Sequence, residues 1–141
     1  MVKLLIVEDS GLVAERIKEI VCEVPGCEIA GTAMDVGGTW RLMPKVNPDV
    51  IVLDLQIPGG SGLEVLRAVK RGQRDIFVIV LTNHASPLVR EACLSAGADF
   101  FLDKSTEFGQ LPAVLARIGR ESGLLPCRGI EPGASISKAT A

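Results

Sequence analysis

A doubly wound α/β sheet is the architecture predicted by this 141-residue chain, on three observations. Five short apolar runs alternate with longer segments of helical period, the pattern of parallel strands joined by right-handed helical crossovers. Three of those runs are continuous and rich in β-branched residues, as required of strands covered on both faces. The composition, 48% hydrophobic and 23% charged, is that of a globular domain large enough for one proper core, and it excludes disorder over the whole chain.

The predicted strands are Lys3–Val7, Glu28–Met34, Val50–Leu53, Ile76–Leu81 and Phe100–Leu102. In the first helix, Val13, Ile17, Ile20, Val21 and Val24 make one apolar stripe, and Pro25-Gly26 ends it. The second helix is capped by Asp35 but weakened by Gly37, Gly38 and Pro44, so it is expected to be short or bent near the proline. A third helix, from near Gly62 to Arg71, should bury Leu63, Leu66 and Val69. The fourth, Pro87 to Ala96, ends at Gly97, a suitable left-handed terminal residue. The fifth spans Glu107 to Glu121 with Phe108, Leu111, Leu115 and Ile118 inward. Residues 122–141 carry Gly, Pro, Ser and Ala without period and are expected to form a flexible tail.

Several function classes are excluded early. A net charge of −2 without any basic run leaves no electrostatic footprint for nucleic acid or a membrane surface. No apolar run reaches the length of a membrane span, and the start MVKLLIVEDS turns acidic too early for a signal peptide. A cytoplasmic location is therefore expected. The four cysteines, Cys22, Cys27, Cys93 and Cys127, contain no close ligand pair, so packed free thiols are expected rather than a zinc site. The single histidine, His84, argues against a hydrolytic triad.

Ligands in an open α/β sheet bind beyond the carboxyl ends of the strands. There the first strand ends in Glu8-Asp9, the third in Asp54, the fourth in Thr82 and the fifth in Asp103-Lys104. Taken singly, Asp9 reads better as a helix cap than as a ligand, and Thr82 or Lys104 as solvated surface. The conjunction at four of five strand ends decides for function. Three crowded carboxylates repel unless protonated or bound to a cation. A few hard oxygen ligands beside a phosphate favour Mg²⁺. Lys104 supplies a point charge for phosphoryl oxygens and Thr82 a hydroxyl donor. The set suits in-line transfer of a phosphoryl group onto Asp54.

These residues carry a resemblance. The motifs LLIVEDS with Glu8 and Asp9, IVLDLQIPGGSG with Asp54, IVLTNHA with Thr82, and AGADFFLDKS with Lys104 resemble the receiver domain of two-component response regulators, over residues 2–121. The resemblance divides the chain into a receiver domain, 1–121, and the tail, 122–141. It implies a flavodoxin-like five-stranded parallel sheet of order 2-1-3-4-5 with helices on both faces, an order for which a regulator of this family is a standard example. It implies that Asp54 accepts phosphate from a sensor histidine kinase or phosphotransfer protein. Glu8, Asp9, Asp54 and the Gln56 backbone carbonyl would hold Mg²⁺, while Thr82 and Lys104 would bind the phosphoryl group. Phe101 matches the switch aromatic, although Phe100 beside it could instead turn inward. The output face would lie on the fourth helix, fifth strand and fifth helix, including Arg90, Leu94 and Arg117, toward an unknown output protein. A phosphorylation-dependent homodimer is also allowed.

The chain departs from the family pattern in places. Ser105 stands where proline is common, predicting a final loop without a cis peptide and freer to move. Asn83 replaces a commonly small residue and narrows access to Asp54. Gln56 and His84 are expected to border the path of the water that hydrolyses the acyl phosphate, and so to set its lifetime. The DKSTEF run resembles receivers that carry a helix-turn-helix output, yet residues 122–141 are too few for one. The chain is therefore either a stand-alone regulator or the receiver part of a longer one. It is not expected to be an enzyme beyond its own phosphorylation and dephosphorylation. An aspartyl-phosphate phosphatase would need an acid at Gln56, and a degenerate interaction module would not need the complete set of acids, Thr82 and Lys104.

Overall fold

The structure, a computed structural model, describes residues 1–72 and 75–123. The tail expected over 122–141 lies outside the described residues from 124 onward, as does Cys127. Strands β1 (Val2–Val7), β2 (Cys27–Ala33), β3 (Val50–Leu53), β6 (Phe77–Thr82) and β7 (Phe100–Asp103) form one five-stranded sheet, ordered β2-β1-β3-β6-β7. All its pairings are parallel. By rank among these five strands this is the expected 2-1-3-4-5. An unforeseen two-residue hairpin, β4 (Gln56–Ile57) with β5 (Gly60–Ser61), follows β3.

Successive side chains of a strand point to opposite faces, and this alternation sorts the core into two layers. Leu4, Ile6, Val50, Val52, Ile79, Leu81, Phe100 and Leu102 pack under α1 (Gly11–Cys22) and α5 (Leu111–Glu121). Leu5, Val7, Ile51, Leu53, Val78, Val80 and Phe101 pack under α2 (Val36–Val46), α3 (Gly62–Arg71) and α4 (Pro87–Ser95). The continuous apolar runs are thus explained: β1, β3 and β6 are covered on both faces, whereas the edge strand β2 is part-exposed. Phe100 and Phe101 are both fully buried, one in each layer, with Phe101 on the α4 side. Cys27 and Cys93 are free, buried thiols, and burial pushes both pKa values up.

Three helical expectations need correction. Of the two outcomes expected for the second helix, a short one is not found: α2 spans 11 residues, equal to α5. Pro44 falls in its last turn, where its missing N–H forfeits one late bond. Asn47, at φ 49, then closes the helix by donating its N–H to the Met43 carbonyl. In α3, Val65 joins Leu66 and Val69 in the fully buried core, while Leu63 is only half-buried and packs against it, because the buried stripe begins at Gly62 itself. The last helix opens with a separate 3-10 turn over Phe108–Gln110. Gly97 follows α4 at φ 105, as its position predicts.

Candidate functional site

The functional side chains project from loops at the carboxyl edge of the sheet. The Glu8 N–H donates to the Ala33 carbonyl (2.9 Å), and the Asp54 N–H to the Val7 carbonyl (3.0 Å). These bonds extend the strand pairing just past the strands and fix the two acids side by side. The N-cap of α1 is Ser10, whose Oγ accepts from the Val13 N–H. Asp9 is therefore not the cap that it would be if read alone; it is exposed, and one oxygen each from Glu8, Asp9 and Asp54 lie within 4.8 Å of one another.

Lys104 stands against this acidic group. Its Nζ is 2.6 Å from Glu8 Oε1 and 2.9 Å from Asp54 Oδ2, with the three side chains 8%, 3% and 8% exposed. Burial raises the Glu8 pKa more than its bonds to Lys104 and Ser10 lower it. Burial alone would depress Lys104, but the two carboxylates together outweigh it and raise its pKa. Three carboxyl groups against one ammonium leave an excess of acidic charge in a small volume. That charge, and an all-oxygen donor set with an exposed side at Asp9, fit a hard divalent cation such as Mg²⁺.

The other expected residues reach the site at one remove. The Gln56 N–H donates to Asp54 Oδ1 (3.2 Å), while its side chain is exposed. Thr82 is buried at the end of β6; its carbonyl accepts the Lys104 N–H (2.9 Å), and its Oγ1 accepts the N–H of the exposed His84 (3.1 Å). Phe101 lies below, in the core layer facing α4, with the Arg90 guanidinium 5.4 Å over its ring. No cis peptide bond occurs among the described residues. The loop expected to be freer at Ser105 is tied down instead: Asp103 Oδ1 accepts both the Ser105 N–H (2.9 Å) and its Oγ–H (2.6 Å).

Two contributors escaped sequence reasoning. Gly62 opens α3 directly behind Asp54: a Cβ there would clash with the Asp54 carbonyl oxygen and stand 2.6 Å from Leu55 Cα. The PGGSG run hid it, because several glycines there read equally as turn residues. Glu107, expected only as the start of a helix, turns back to accept the Asp103 N–H (3.0 Å).

Comparison with known proteins agrees with this geometry. The family described as response regulator receiver domain matches residues 4–116. The chain is 38% identical over 122 residues to the protein-glutamate methylesterase/protein-glutamine glutaminase of Treponema pallidum, covering 85% of this chain and 30% of that protein. It is 28% identical over 118 residues to the response regulator GacA of Pseudomonas aeruginosa, covering 84% of this chain and 55% of that one. The chain thus spans from 30% to 55% of the length of these relatives. The isolated receiver domain of RcsB from Salmonella enterica, solved with phosphomimetic BeF₃⁻, shares the fold at TM-score 0.81 and 24% identity, over 89% of this chain and 99% of that one. No helix among the described residues is long and apolar enough to cross a membrane. With its sheet order, its acidic cluster and a family match over most of its length, this chain belongs to the response regulator receiver domains.

Proposed function

We propose that the protein is a phosphoacceptor switch in which Asp54 takes a phosphoryl group from a sensor histidine kinase or phosphotransfer protein. One observation carries the reading: Asp54 is buried at the end of the central strand β3, in an acidic cluster, with the Lys104 ammonium on its carboxylate. An Asp54 carboxylate oxygen forms the new P–O bond as the donor's P–N bond breaks, and the leaving imidazole takes up a proton. Glu8, Asp9, Asp54 and the Gln56 carbonyl are the residues that would hold Mg²⁺. When bound, that ion supplies charge neutralisation for the phosphoryl oxygens. Lys104 then turns from the carboxylates to a phosphoryl oxygen, and Thr82 donates its hydroxyl to another. The Gln56 N–H on Asp54 Oδ1 orients the acceptor carboxylate.

The signal leaves through Thr82 and Phe101 toward α4, β7 and α5, where Arg90, Leu94 and Arg117 stand part-exposed and where an output protein or a second copy of the chain docks. The exposed side chains of Gln56 and His84 border the approach of the hydrolytic water. The setting for all this is the cytoplasm, and the chemistry goes no further than the protein's own phosphorylation and dephosphorylation. Mass spectrometry after acetyl phosphate and Mg²⁺ tests the reading. Wild type should gain one phosphoryl group and Asp54→Asn none; an equal adduct on the variant removes Asp54 from the role, and no adduct on wild type favours an interaction module.

A further inference from the structure

We propose that Glu107, with Arg90 as its charge partner, is the positioning residue for Lys104. The inference rests on the phosphoacceptor reading and deepens it. β7 is the edge strand of the sheet, so only one side of its backbone has a strand to pair with. The Lys104 N–H faces inward and donates to the Thr82 carbonyl. The Asp103 N–H, one residue earlier, faces the open edge. An edge amide of this kind is ordinarily left to water or to an adventitious strand.

Here Glu107 takes that place. Its Oε1 accepts the Asp103 N–H at 3.0 Å, and its own N–H donates back to the Asp103 carbonyl at 2.7 Å. With Ser105 donating to Asp103 Oδ1 and Thr106 to the Asp103 carbonyl, all five consecutive N–H groups from Asp103 to Glu107 are bonded. Lys104 lies within this bonded run, next to Asp103, and the bonds around it fix where its side chain starts. Proline after Lys104 could not take part, since it has no N–H to offer Asp103. The loop thus obtains from Asp103 and Glu107 hydrogen bonds that a proline at position 105 would not allow.

Arg90 joins this run to the rest of the molecule. Its Nη1 lies 3.8 Å from Glu107 Oε1 while its Cζ stands over Phe101. One carboxylate therefore touches the strand end before Lys104 and, through Arg90, the helix of the output face. The consequence for chemistry is specific. In the structure Lys104 occupies Glu8 and Asp54, two carboxylates that a cation would also use. A well-placed ammonium competes with the cation before phosphorylation and holds the phosphoryl group after it.

Loosening these bonds should push these two properties in opposite directions. In Glu107→Ala, Mg²⁺ affinity measured by calorimetry without phosphoryl mimic should rise several-fold. Beryllofluoride affinity at saturating Mg²⁺ should fall by about tenfold, the scale of one charge-assisted hydrogen bond. Amide exchange at Asp103 and Ser105 should quicken in the metal-free protein. Glu107→Gln keeps an acceptor for the Asp103 N–H but loses the charge that Arg90 faces, so it and Arg90→Ala should each show only a weak form of the alanine effect. A fold merely damaged by the substitution would lose both affinities together, and that result overturns the proposal, as do unchanged affinities or a glutamine variant that behaves like alanine. A wild type that binds Mg²⁺ but no beryllofluoride overturns the phosphoacceptor reading as well.

Discussion

Gly62→Ala adds one methyl group at the place where α3 passes closest to the acceptor aspartate. The new Cβ would stand 2.6 Å from Leu55 Cα, with the Asp54 carbonyl oxygen closer still, whereas non-bonded carbons settle near 3.5–4.0 Å. Both neighbours are backbone, so no rotamer change relieves the clash, and the helix start must retreat by about 1 Å. Such overpacking costs about 1–3 kcal/mol. The retreat also strains the 3.0 Å bond from the Gly62 N–H to the Leu55 carbonyl, worth about 1 kcal/mol. The better helix propensity of alanine returns at most about 1 kcal/mol. A net loss of about 1–3 kcal/mol follows, or a fall of roughly 3–15 °C in Tm for a domain of this size. Gly11 provides the control, because a Cβ there meets nothing within 4 Å; Gly11→Ala should be neutral or stabilising by up to about 1 kcal/mol. Urea unfolding of both variants, with m unchanged, measures the contrast. The steric reasoning fails if Gly62→Ala stays within about 0.5 kcal/mol of wild type, or if both alanines cost the same.

Burial raises the Glu8 pKa above 4.5, so the folded, metal-free protein binds this proton more tightly than the unfolded chain. Its stabilising contribution is complete below pH 4.5 and is lost as pH rises through the folded value. Glu8→Gln, which keeps an acceptor for Lys104, should therefore be more stable than wild type at pH 7 in chelator, with the gap closing on acidification; a pH-independent gap in urea midpoints would count against the assignment. Gln56→Ala and His84→Ala should each change the decay of phosphorylated protein several-fold after donor removal while Mg²⁺ affinity stays near wild type. Identical decay in all three proteins would take these two positions out of the lifetime.

Much of the fold follows from sequence because its causes are local or periodic. VIVL at Val50–Leu53 has no polar alternation, and the structure buries all four residues between two layers of helices. Gly97 can end a helix by its lack of a side chain, and the structure uses it so. Glu8, Asp9, Asp54 and Lys104 were legible together because a parallel sheet brings every strand's carboxyl end to one edge. Sequence order and strand ends thus imply a convergence that spans 97 positions of chain, from Glu8 to Lys104.

Tertiary structure decided what depends on distances between segments remote in the chain or on a choice among equivalent neighbours. Ser10 and Asp9 are both good helix caps by residue type; the bonds actually made give the cap to Ser10 and leave Asp9 facing the other acids. Phe100 and Phe101 are indistinguishable in isolation, and only the strand's phase assigns Phe101 to the layer under α4. Of the glycines in PGGSG, Gly62 is the one pressed against the Asp54 backbone, a steric fact that no local propensity encodes. Ser105 suggested a freer loop, but the edge position of β7 leaves the Asp103 N–H open, and Glu107 closes it. Local chemistry selects the residues that can serve; the packing of strands and helices selects which of them do.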